Sequence, residues 1–180
     1  MTSTPIDTAR AALRARQGAG ARYDAPTAPA EDILLARRGT AFFARKLSEL
    51  ADDALFAPVN TGSETPAHVV ARVSYAARLE ALALEALTKG TVFVPPATLP
   101  SIALAATLPA HALRHLFHHS QVHLNVCWRD LPETLWNPGV TLHDGTPVQD
   151  LPKLRAIAIW HGAIALGNGA RVEDIPQTVR

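Results

Sequence analysis

Five of the eight histidines fall within thirteen residues, in the stretch HALRHLFHHSQVHLNVCWRDL at 111–131, which also carries the only cysteine, Cys127. At about 100° per residue, Leu113, Leu116, Phe117, Ser120, Leu124, Cys127 and Leu131 share one stripe. That recurrence predicts an amphipathic helix with one face in a core. The histidines fall elsewhere. His111, His115 and His118 lie roughly opposite the stripe, and His119 and His123 drift towards its edge. A chain built around this helix needs other helices to cover its apolar face.

Those helices are legible. A short one is expected over 6–16, ended by Gly18 and Gly20, with a linker at 24–29. A long helix follows over about 29–52, with Leu34, Leu35, Phe42, Phe43, Leu47 and Leu50 on its apolar side. After a loop at 57–65, Thr65 as N-cap and Pro66 at the first position open a helix that runs to about Lys89 and stops at Gly90. His68, Tyr75, Leu79, Leu82 and Ala86 share a line on it, expected to face the core. Residues 91–107 read as loop with a helical turn near 101–106. Val140 to Val148 alternates around Asp144-Gly145 and predicts a small edge hairpin, limited by Pro147. A last helix opens at Asp150, with Pro152 near its start, and runs to Gly167; the tail is expected to end loosely. The fold expected is all-α: an antiparallel four-helix bundle at 29–168, preceded by a helical extension at 1–28 and followed by a tail at 169–180.

Composition narrows the function. The 48% apolar fraction supports a real core, and a net charge of +1 with interspersed signs lacks the footprint of a nucleic-acid binder. No run of about 18 apolar residues suggests a membrane span, and a cytoplasmic protein is expected. A single cysteine excludes an intramolecular disulfide and a multi-cysteine metal site. Cys127, on the apolar stripe, reads as a small core residue rather than a nucleophile. The ladder His111, His115, His119, His123 reads as a packing face against the 91–107 loop or a second subunit, although such i, i+4 pairs are formally metal-binding.

Scattered motifs add a family. His68-Val69-Val70 opens the second long helix; Leu113-Arg114, Leu124, Trp128, Leu131-Pro132, Trp136, Val140, Asp144-Gly145, Val148 and Leu151-Pro152 follow in order; Arg155, Trp160 and Leu166 mark the last helix. Over about 31–167 this resembles the N-terminal domain of the mycothiol-dependent maleylpyruvate isomerase family, a branch of the DinB-like four-helix bundles. The resemblance implies one divalent metal, usually zinc, held by a histidine on the second helix and a Glu and His four apart on the last. It also implies mycothiol or another low-molecular-weight thiol, activated by the metal to add to the substrate. His68 occupies the first ligand position, but Ala158 and Gly162 stand at the other two, Glu64 replaces a family tryptophan and Arg72 a second histidine.

Two readings follow. One is a metal- and thiol-dependent isomerase or transferase with a rearranged ligand set: His68, His161 one turn along the Ala158 line, His123 as a further ligand, and Glu64 as an added carboxylate. The other is a non-catalytic relative without the metal, acting as a homodimeric small-molecule binder or interaction protein. In both the partner is a small molecule, not nucleic acid or membrane.

Overall fold

The computed structural model describes residues 23–59 and 64–180, together with Ile6, Thr8, Ala9 and Ala12. Most of the helix expected over 6–16, and Asn60 and Gly62 of the loop, lie outside the described residues. Four long helices dominate: α1 (Ala30–Ser48), α2 (Pro66–Thr88), α3 (Ala110–Asp130) and α4 (Leu151–Ala165). The fold is all-α, with no strand among the described residues. The principal packing pairs are α1 with α4 and α2 with α3, joined by a smaller contact between α2 and α4. No helix among the described residues is long and apolar enough to cross a membrane.

The helix boundaries follow local chemistry. Pro66 begins α2 behind Thr65, which has extended backbone, and Gly90 ends it at φ 65°. Gly167, at φ 66°, closes α4 in the same left-handed conformation. A short helix at Ile102–Ala105 is capped by Ser101, whose Oγ accepts from the Leu104 N–H at 3.2 Å.

The buried faces only partly follow the expected lines. On α3, Leu113, Phe117, Ser120 and Leu124 are buried as expected, but Gln121 and Trp128 join them, whereas Leu116 and Cys127 are only partly buried. On α1 the core face is Ile33, Ala36, Gly39, Phe43 and Leu47, and Leu34 is exposed. On α2, Tyr75 alone of the expected line is buried; Val69, Val70, Val73, Ala77, Ala81 and Leu84 make the core. This helix packs against α3, α4 and the short helix, so its buried arc is wide and no single line identifies it.

Two further expectations change. In place of an edge hairpin over 140–148, a tight turn at Asp144-Gly145 leads to an isolated antiparallel bridge between Thr141 and Pro147. Pro147 has no N–H to extend a ladder. The tail does not end loosely: the turns Val172–Asp174 and Gln177–Val179 bring Ile175 and Val179, four residues apart, into the core, each 2% exposed.

Candidate functional site

A small polar group is buried where α2, α3 and α4 meet. Arg155, on α4, is buried, donating from Nη1 to the Val73 carbonyl at 3.1 Å and from Nη2 to Gln121 Oε1 at 2.8 Å. Its Nε is buried without a hydrogen-bond partner. Nearby on α2, Glu80 accepts from the Trp128 indole N–H at 3.1 Å. Burial pushes the Glu80 carboxyl up to about 8, against the opposing pull of Arg155 and the indole hydrogen bond. The same burial lowers the Arg155 guanidinium to about 10. Burial thus favours the protonated carboxyl at Glu80, while Arg155 keeps its charge at neutral pH.

A pocket of about 200 Å³ opens onto this centre between α1, α3 and α4. Arg37 and Thr40 line it from α1; Gln121, Leu124, Asn125 and Trp128 from α3; Arg155 from α4. Arg37 is committed already. Its guanidinium makes a two-pronged pair with Asp24 at 2.6 and 2.7 Å and donates from Nε to Asn125 Oδ1 at 2.7 Å. Arg155 is the other cation of the lining, and its Nε is buried without a hydrogen-bond partner.

A second cluster sits between α2 and α3. His123 Nε2 lies 2.7 Å from Glu85 Oε1. Cys127, one turn on from His123, completes a group whose ligand atoms all lie within 4.8 Å of one another. The His123 hydrogen bond, with support from Lys89, lowers the Glu85 carboxyl against a smaller opposing effect of burial. Burial, then the charges of Glu85, Asp130 and Glu80, pushes the Cys127 thiol up to about 11. A thiol held that high stays protonated at neutral pH.

The other proposed ligands lie apart. His68 turns back on its own helix start, with Nδ1 2.8 Å from Thr65 Oγ1 and 3.4 Å from the Thr65 backbone N–H. His161 is exposed, as is Ala158 on the same line. The Glu64 carboxylate is paired with Arg72, so the two residues that replace the family's tryptophan and histidine engage each other. Among the described residues no group of three metal-ligating side chains contains His68 or His161, whereas one contains His123.

No family model matches the chain, and no curated protein matches it significantly. Solved structures do. The crystal structure of a mycothiol-dependent maleylpyruvate isomerase superposes with a TM-score of 0.74 at 30% identity, covering 83% of this chain. A mutant of that enzyme gives 0.73 at the same identity and coverage. In fold and sequence the chain is similar to the DinB-like maleylpyruvate isomerases. It spans 65% of the length of those isomerase chains.

The family's metal does not fit at the family's positions here. Gly162 is buried against α1 and α2, and a Cβ added to it would lie 3.0 Å from Val73 Cγ2 and 3.4 Å from Phe43 Cε2. There is no room for a ligating side chain, and the other α4 position, Ala158, offers no donor atom. Sequence reasoning reached His123 but missed Glu80 and Gln121 as parts of the polar centre. It read Arg155 only as a family match and Cys127 only as core. The spacing of His123 and Cys127, four apart on one helix, was the available signal for the second cluster.

Proposed function

We propose that the chain is a thiol-dependent isomerase or transferase of this family, acting on a small carboxylate held over Arg155. The observation that carries the reading is Arg155 itself, a buried guanidinium with an unpartnered Nε, among the residues that line the pocket between α1, α3 and α4. A buried donor left without a partner costs about 1–3 kcal/mol, which an incoming carboxylate oxygen recovers. Protonated Glu80 leaves the positive charge of Arg155 available to that anion. Thr40 and Asn125 add hydroxyl and amide groups at the mouth, and Leu124 and Trp128 an apolar wall. The structural neighbours act on maleylpyruvate, an organic carboxylate, with mycothiol. That likeness supports mycothiol, or another low-molecular-weight thiol, as co-substrate. The four long helices are taken as the antiparallel DinB-like bundle, a reading supported by their pairwise packing and by the superposition. No step is assigned to a metal at His68 or His161.

The test is turnover of maleylpyruvate by the full chain with and without mycothiol, beside Asn125→Trp, which fills the pocket mouth from an exposed position. We expect thiol-dependent isomerisation and a loss of about tenfold in kcat/KM in the variant, or about 1.4 kcal/mol. Absence of turnover with mycothiol, glutathione or cysteine would contradict the enzymatic reading and leave a non-catalytic carboxylate binder.

A further inference from the structure

We infer that Glu85, His123 and Cys127 form a site for a borderline divalent cation of the zinc class, away from the family's ligand positions. Three observations carry this. First, His123 and Cys127 are four residues apart on α3 and so share a face, and the packing of α2 on α3 brings Glu85 to the same point. Second, the three ligand atoms already lie within 4.8 Å of one another, with the His–Glu pair at 2.7 Å. In a tetrahedral shell, with bonds of about 2.0–2.3 Å, donors stand roughly 3.3–3.7 Å apart. Closing the gap takes about an ångström, which small side-chain rotations supply because all three groups are only partly buried. Third, the donor set is thiolate, imidazole and carboxylate, which suits Zn²⁺ or Co²⁺ and not Mg²⁺ or Ca²⁺.

The surroundings leave the site accessible. Lys89 holds the other oxygen of Glu85, Oε2, at 3.4 Å, so Oε1 remains directed at His123. Glu85 also lines a second pocket of about 210 Å³, walled in part by Thr91, Phe93 and Pro96, from which a fourth ligand can enter. Three protein donors and one exchangeable position make the arrangement of a zinc site open to solvent or to an added thiol. Binding releases the Cys127 proton to solvent, moves the His123 ring proton from Nε2 to Nδ1, and exchanges the His123–Glu85 hydrogen bond for two metal bonds. The proposal does not depend on the pocket over Arg155, which lies elsewhere and uses none of these three residues.

The experiment is titration of the metal-free full chain with Co²⁺, followed by absorption. One equivalent should bind with a thiolate-to-cobalt charge-transfer band and with the strong visible bands of a tetrahedral ion. Cys127→Ser should abolish the charge-transfer band. His123→Ala and Glu85→Gln should each weaken the affinity by at least about tenfold, and Zn²⁺ should displace Co²⁺. His115→Ala/His119→Ala, which removes the neighbouring rungs of the exposed ladder, should leave the spectrum unchanged. A wild-type chain with native circular dichroism and no thiolate band would overturn the proposal. So would binding abolished by the ladder variant, or binding indifferent to His123→Ala, because the ion would then sit on the exposed histidines or on the cysteine alone.

Discussion

Below a pKa of about 8, Glu80 sits among the helices as a neutral acid accepting from Trp128, beside a guanidinium that stays charged. An unfolded chain releases that proton near the ordinary carboxylate pKa of about 4.3. Between the two values the folded state holds a proton that the unfolded state has lost, so stability falls as pH rises from about 4.5 to about 8 and levels off above. One proton sets a ceiling of about 1.4 kcal/mol per pH unit on that slope. Glu80→Gln keeps an acceptor for the indole and removes the titration. Urea unfolding at several pH values in this window should therefore show a flatter dependence in Glu80→Gln than in the wild type; equal slopes would mean that Glu80 is ionised in the folded protein. None of this is visible in a hydropathy pattern. Gln121 and Arg155 are polar residues on buried faces that hydrogen-bond each other, and such pairing depends on which helices meet.

At the scale of elements, the helix ends were readable because caps and stops are local: Thr65-Pro66, Gly90 and Gly167 each act through their own backbone. The faces were less so. On α3 the exposed histidines at 111, 115 and 118 fell where the periodicity put them, and His119, placed towards the stripe's edge, is exposed as well. On α4 apolar residues surround the helix, and the line through Leu154, Ala158 and His161 proved to be the exposed one. What turns α4 is its fit against α1. Gly39 lets the two approach so closely that an added Cβ would lie 2.6 Å from Ile159 Cγ2 and 2.8 Å from Trp160 Cδ1 and Nε1. Trp160 in turn stacks on Phe42 at 5.0 Å and donates to the Leu35 carbonyl at 3.2 Å. Gly39→Ala should therefore destabilise the fold by about 1–3 kcal/mol through overpacking, although alanine favours a helix by nearly 1 kcal/mol. Thermal unfolding measures the sum. An unchanged or raised Tm would mean that α1 and α4 separate without loss and that the close approach does not hold them together.

At the scale of the whole molecule, the chain shares the helical scaffold of the isomerases it superposes on, while the positions where the resemblance implies metal ligands hold other chemistry. Val73 and Phe43 fill the space at Gly162, and His68 serves the start of its own helix. One opening lies over Arg155, where a cation and an apolar wall coincide. The motifs at Arg155 and Trp128 marked the family in the sequence, but their convergence on one pocket required the register of three helices. The most direct measurement is a titration of the full chain with maleate, a stable dicarboxylate, followed by the indole N–H signals of the three tryptophans in ¹H–¹⁵N spectra. The account predicts a saturable shift of Trp128, in the pocket wall, with Trp136, fully buried and outside that wall, unmoved. No shift at Trp128, or one shared equally with Trp136, would contradict carboxylate binding over Arg155.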